Sequence, residues 1–542
     1  MRYPHTMLIL LPILAVTGCS LGLPEQQPCQ SDAECSDAFG PGAACQANGY
    51  CASSTEFEEG VGTLVDGVST TTIRTVGIAA QTGTTRDLGI GMTVGIQAAL
   101  AATAPEDRGG YDLQHFALDD GYVPNNSAAL IQQVTEDGDF RDDPYPGGGA
   151  DAVQGREAFA VIGSMGSPTS SAMLETINAT QIPFIGTYSG ASHLYNDPPD
   201  RVVWQFRPRY EDESYQLTQY LISTRDPGRV PKTNVFVLSQ SPVMGSPCDQ
   251  CEGDNQGTSG EAAEVANDDQ TVLDAYGFSG YKGVRRALQE AGVSQVDIPL
   301  GTYRANSTDL GVATKYFTQW VAGIAEGAHA PQLDDDGNLE IGIVMIPVAL
   351  PGAEFIERVL DEVESLQAGQ RPSTLSDAEW EMVDPDWKAA LEDVNLVFTS
   401  ISPAGDSMAS TLRSSNPGRL CGSFPIIVSQ VVPFPLGSSS AAIRYREDLA
   451  AFDPNEQPGF VTFEGWAVGK MWAELVRRTA ATGEVTADSL VNVLETNFKS
   501  VDIGIGTSVD YGANDHLGSD QIFASRLDDT CTFEDFSLEA GG

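Results

Sequence analysis

Residues 274–288 read DAYGFSGYKGVRRAL. Tyr281, Val284, Leu288 and Ala291 recur at steps of three and four, the period of a helix with one apolar face. Gly292 follows them, where a helix C-terminus favours glycine. Before this helix comes a loop of small residues, Asp274-Ala275-Tyr276-Gly277, and upstream of that a β-rich run, NVFVL at 234–238. The same alternation extends outward in both directions. Strand-like runs occupy 73–80, 113–118, 158–163, 183–187, 341–348, 395–400 and 424–432. Helical stripes lie between them, such as Phe355, Ile356, Val359, Leu360 and Val363, and later Trp466, Met471, Trp472, Leu475 and Val476. Repeated β-α alternation predicts an α/β fold of parallel sheets with helices on both faces. The runs are too many for one ordinary sheet, which predicts two Rossmann-like lobes.

In open α/β sheets ligands bind beyond the carboxyl ends of the strands. Three loops there are rich in glycine and small hydroxyl residues: Gly163-Ser164-Met165-Gly166-Ser167-Pro168-Thr169, Thr187-Tyr188-Ser189-Gly190-Ala191-Ser192, and the 274–277 loop. The first two run into helix starts, whose free N–H groups and dipole suit a carboxylate or another anion. The same hydroxyls serve equally well as ordinary N-caps.

Signs of catalysis are poor. The chain has no GxSxG elbow, no HExxH and no GxxxxGK[ST] loop, and its five histidines are scattered. DDDGNLE at 334–340 departs from EF-hand spacing and reads as an acidic surface turn. A binding protein without metal or cofactor is expected, not an enzyme. With 75 acidic against 29 basic residues the formal net charge is −46, which repels phosphate backbones and disfavours nucleic acid.

The amino terminus bears on compartment. After Arg2, an apolar run at 7–16 is too short to span a bilayer and has the length of a signal-peptide core. Val16-Thr17-Gly18-Cys19 resembles the bacterial lipobox, so residues 1–18 are expected to be a lipoprotein signal peptide and Cys19 the lipidated first residue. The plainer alternative is an ordinary signal peptide with a chance cysteine. A lipid anchor would then be the only membrane attachment, in the periplasm or cell envelope. Of nine cysteines, eight remain after Cys19, which suits an oxidising compartment. Cys29, Cys35, Cys45 and Cys51 crowd a segment with almost no apolar periodicity, expected to be held by two disulfides of undetermined connectivity in a module and linker over 19–71. Cys248 and Cys251 form a CxxC in an acidic, glycine-rich loop and read as a structural disulfide. Cys421 and Cys531 remain and can pair with each other.

Taken in order, several segments resemble a known family, the type I periplasmic solute-binding proteins of the branched-chain amino acid and amide class, the extracytoplasmic receptors of ABC importers. IRTVGIAAQTGTTRDLGIGMTVG at 73–95 is similar to the family's opening strand, loop and first helix. LDDGYVP at 118–124, the 160–169 and 183–194 turns, DAYGFSGYKGVRRAL, VSQVVP at 428–433 and FVTFEGW at 460–466 resemble later segments. The resemblance implies two lobes, 72–208 plus 433–508 and 209–432 plus 509–542, joined by crossovers near 206–210, 430–435 and 509–518. It implies a small polar solute (amino acid, amide or small carboxylate) captured as the lobes close and delivered to an ABC permease. The alternative is a sensing or envelope-scaffold lipoprotein of the same fold. By resemblance Ser167, with Thr169 in its turn, holds a ligand carboxylate. Gly190, Ala191 and Ser192 form the second turn, Tyr276 covers the ligand, and Ala349 and Ser402 mark later contacts. Where amino-acid-binding members place an acidic residue on the ligand ammonium, this chain reads SISPAG at 400–405, leaving Asp406 or Glu464 as substitutes and an α-amino acid ligand in doubt. Acidic insertions at 136–155 and 242–272 are expected to be surface loops, gates of the cleft or docking sites for a partner.

Overall fold

The computed structural model describes residues 44–45, 51–52, 72–135, 158–223, 230–242, 264–265, 272–294, 298–325, 329–334, 337–348, 350–483 and 485–538. It divides into two units, 1–53 and 54–542. In the first, Ala44–Cys45 pairs antiparallel with Cys51–Ala52, which sets Cys45 opposite Cys51. The expectations for Cys19, Cys29, Cys35, Cys248, Cys251 and Ala349 fall outside the described residues, as do the side chains of Cys45 and Cys51.

In the second unit, β1 (Thr72–Ile78), β2 (Asp112–Leu118), β3 (Ala160–Ile162), β4 (Phe184–Ile185) and β5 (Val203–Trp204) form a parallel sheet in the order β2-β1-β3-β4-β5. Helices α1 (Arg86–Ala101), α2 (Pro124–Thr135) and α3 (Ser167–Thr180) connect the strands. The chain then runs through 205–209 into α4 (Tyr210–Ser223) and a second sheet. Its strands are β6 (Val235–Ser241), β7 (Leu300–Arg304), β8 (Leu339–Met345), β9 (Val394–Ser400), β10 (Ile426–Gln430), β11 (Phe523–Leu527) and β12 (Phe533–Phe536). The order is β7-β6-β8-β9-β10-β11-β12, parallel as far as β10 and antiparallel beyond it. Helices α5 (Ala275–Glu290), α6 (Gly311–Val321), α7 (Leu350–Gln367) and α8 (Gly405–Ser415) belong to this half. Both sheets therefore begin with strand order 2-1-3-4-5, and each has a switch point between its first and third strands, where the loops diverge and leave a crevice.

After β10 the chain returns to the first sheet as α9 (Ser440–Phe452), α10 (Phe460–Thr482) and α11 (Ala487–Asn497). Gly95 on α1 and Gly465 on α10 let these two helices touch backbone to backbone; a β-carbon on either would collide with the other helix. The chain crosses once more at 510–522. This crossover lies beside the first: Gln205 pairs with Leu517, its N–H donates to the His516 carbonyl at 2.9 Å, and its carbonyl accepts from Gly518 N–H at 2.7 Å. Cys421 and Cys531 are joined by a disulfide with Cα atoms 5.4 Å apart. The strands at 203–204, 300–304 and 523–536 lie outside the strand-like runs read from sequence. The shortest of them carry too few residues to show a period.

Candidate ligand-binding site

The carboxyl ends of the two sheets face each other across a narrow cavity of about 10 Å³, about the room that one water needs. From the first half, Tyr122, Ser167 and Tyr188 line it with Leu88 and Met165; from the second, Tyr210 and Tyr276 line it with Val348 and Pro403. The four tyrosines and Ser167 are buried. Burial lifts all four phenols well above the usual range, Tyr210 to about 12, so they are neutral.

The local sequence explains how the walls are held. The loops after β3 and β4 are zipped together by Tyr188 N–H to the Ser164 carbonyl at 2.7 Å and Gly166 N–H to the Tyr188 carbonyl at 3.2 Å. Gly166 has φ 105, and a β-carbon there would lie 2.5 Å from both Thr169 Oγ1 and the Tyr122 ring. It precedes α3 and supplies no side-chain cap. Ser167 Oγ lies 2.8 Å from Ser189 Oγ, inside the pocket wall. Thr169, by contrast, spends its hydroxyl on the Met165 carbonyl at 2.6 Å. Gly190 is pressed onto the crossover: its carbonyl accepts from Tyr210 N–H at 2.9 Å, and a β-carbon would sit 2.6 Å from that nitrogen. Ala191 is buried behind it. Tyr122 adopts φ 59, a left-handed conformation that costs a residue with a β-carbon about 1–2 kcal/mol. Its N–H bonds to Asp120 Oδ1 at 2.8 Å and its carbonyl to Asn306 Nδ2 at 3.1 Å.

Ser192 and Ser402 lie away from the pocket wall. Ser192 N–H donates to Ser279 Oγ at 2.9 Å and its hydroxyl accepts from Lys282 Nζ at 3.3 Å, so it joins the two halves at the rim. Tyr276 sits on α5, whose start is capped by Asp274 accepting from Gly277 N–H at 2.8 Å. Its hydroxyl donates to the Pro347 carbonyl at 2.7 Å and its ring meets Tyr210 edge-on at 5.0 Å.

Behind the rings lies a buried ionic cluster. Arg207 Nη2 donates to Glu213 Oε1 at 3.2 Å and also to Ser402 Oγ. Glu213 further accepts from Ser402 N–H at 2.9 Å, Ser402 Oγ at 3.1 Å and Ser429 Oγ at 2.6 Å. Arg207 Nη1 faces Glu464 at 3.6 Å, while Nε and Nη1 make no hydrogen bond among the described residues. The guanidinium carbon stands 4.7 Å from the Tyr188 ring centroid and 5.0 Å from that of Tyr210. Burial opposes the Arg207 charge, but Glu464 and Glu213 more than offset it and hold the group protonated. Burial raises Glu464 to about 7 despite Arg207. Asp406 accepts from Phe460 N–H at 2.7 Å and Val461 N–H at 3.4 Å, so it caps α10 across the interface, and desolvation lifts it to about 6.

The structure thus brings Ser167 and Tyr276 to one pocket, sets Gly190 against the crossover outside its lining, and places Ser402 and Glu464 in the cluster behind it. Sequence reading missed Tyr122, Tyr188, Tyr210 and Arg207. The available signal for Arg207 was a charge set inside an otherwise uncharged run, VVWQFRP at 202–208. Among the described residues no group of His, Cys, Asp and Glu could hold a metal ion, and no helix is long and apolar enough to cross a membrane.

No family model and no curated protein matches the chain. Solved structures do. A possible leucine/isoleucine/valine-binding protein from Rhodopirellula baltica SH 1 is 21% identical with a TM-score of 0.61, over 88% of this chain and 98% of that one. A fatty acid ABC transporter substrate-binding protein from Thermomonospora curvata is 14% identical, TM-score 0.55, over 87% and 94%. A branched chain amino acid ABC transporter from Thermus thermophilus with bound valine is 14% identical, TM-score 0.54, over 86% and 95%. The chain has the fold of the type I periplasmic binding proteins.

Proposed function

We propose that this chain is an extracytoplasmic solute-binding protein that traps a small solute between two lobes and presents it to an ABC permease. The observation that carries this reading is the pocket itself, walled from both halves where two switch points meet. The lobes are 72–208 plus 433–508 and 209–432 plus 509–542, and ligand contacts both. Ser167, with the Gly190 turn behind it, receives the polar end of the ligand, and Tyr276 covers it. The lipobox-like Cys19 anchors the protein to a membrane, and Cys19→Ala releases it from the lipid fraction. A thermal-shift screen of amino acids, amides and small carboxylates on the full chain tests the reading, because a ligand of the folded state raises stability by RT ln(1 + [L]/Kd). A screen in which no small solute shifts the transition would sink it.

A further inference from the structure

A second cavity lies between α4 and the last two strands of the second sheet. It measures about 700 Å³, within the range of roughly 300–1,000 Å³ that small-molecule sites occupy, and it shares no lining residue with the pocket between the sheets. One wall is α4 from 215 to 223; the other is the end of the last crossover at 520–522 with 523–524 of β11 and 535–538. Among the described residues that line it, none is a lysine or an arginine, and two are exposed carboxylates, Asp520 and Asp535. The side chains of Asp520, Asp535 and Gln216 make no hydrogen bond or ion pair among the described residues. Phe523 is half-buried in the same groove, and its ring packs on no other ring among them. These groups narrow the class of ligand. Two unpaired carboxylates repel an anion, and a purely apolar ligand would strip water from them without return. A cation needs acceptors alone, whereas the amides of Gln216 and Gln219 set donors beside the acceptors. Donors and acceptors side by side match the neighbouring hydroxyls of a sugar, each of which gives and takes a hydrogen bond. The apolar C–H face of a pyranose can lie flat on an aromatic ring such as that of Phe523.

We infer that this groove binds a short neutral oligosaccharide, at a site separate from the cleft and independent of what the cleft receives. Saturation-transfer NMR on the full chain tests this, with maltotriose, cellotriose, mannotriose and chitotriose titrated one at a time and spermidine as the cationic rival. At least one saccharide is expected to bind with a Kd of about 1 mM or tighter. Phe523→Ala and Asp520→Ala are each expected to weaken it about tenfold. Both side chains are at least half-exposed, so the variants are expected to fold, and melting curves check that they do. Ser167→Ala, in the cleft, is expected to leave saccharide binding unchanged, which separates this site from the cleft. The inference is overturned if no saccharide binds, if one binds equally well to Phe523→Ala and Asp520→Ala, if Ser167→Ala abolishes the binding, or if spermidine binds more tightly than every saccharide. None of these outcomes touches the receptor reading, which the solute screen on the cleft decides by itself.

Discussion

Arg207 shows how one side chain can organise a site it does not line. Its charge is matched by Glu213 and Glu464, and its guanidinium packs against Tyr188 and Tyr210. Arg207→Met leaves two buried acids facing each other and should cost about 3–5 kcal/mol in urea unfolding. Arg207→Lys should recover little, since a lysine ammonium cannot serve Glu213 and Glu464 from one planar fork. Ser167 is the opposite case. It is the first helical residue rather than the cap, but its buried hydroxyl bonds to Ser189 Oγ, so Ser167→Ala should cost about 1 kcal/mol in stability while weakening a ligand that it holds about ten- to a hundredfold, read by calorimetry. At this scale the sequence was partly legible. Tyr276 and Ser167 stood in recognisable turns; Tyr122, Tyr188 and Tyr210 did not declare themselves, because their roles arise only when distant loops converge.

Among the elements, α10 is instructive. Its start is capped by a carboxylate on α8, in the other half of the molecule. Asp406→Asn keeps an acceptor but loses the charge at the helix dipole, and should lower stability by about 1 kcal/mol. The disulfide between Cys421 and Cys531 spans 110 residues and ties the loop after α8 to the turn between β11 and β12. Replacing both cysteines by serine should cost about 2–4 kcal/mol, seen as a lower denaturant midpoint under non-reducing conditions. Periodicity revealed the long helices because a 3.6-residue repeat needs several turns to show. It could not reveal β5, two residues long, whose place is set by its neighbour β4, which does lie within the strand-like run at 183–187.

For the whole molecule the dominant feature is acid. The formal net charge is −46, and burial holds several carboxyls above their ordinary range, Asp120 and Glu464 at about 7 and Asp406 and Glu456 at about 6. In each case the folded pKa exceeds the unfolded one. The folded state then holds protons that the unfolded chain has already released, so their contribution to stability is complete below about pH 4 and is lost as pH rises through 6–7. The melting temperature should therefore fall between pH 5 and pH 8, and Glu464→Gln should flatten part of that slope. Self-repulsion acts in the same direction, and added salt should raise the melting temperature at pH 8 by screening it. The two-lobe architecture was legible because βα alternation is a property of the whole chain. Contacts between the halves were not, since they pair residues such as Asp406 and Phe460 that sequence does not connect.

On the receptor reading proposed above, the cap that Asp406 places on α10 bears on docking to a permease. A permease that recognises the shut receptor cannot tell whether it was shut by cargo or by the protein's own bonds. Every interaction that favours closure without ligand raises the rate of futile docking, in which an empty receptor occupies the transporter. Asp406 is therefore a determinant of fidelity as well as stability: Asp406→Asn should dock less often when empty, yet require more ligand to dock when full.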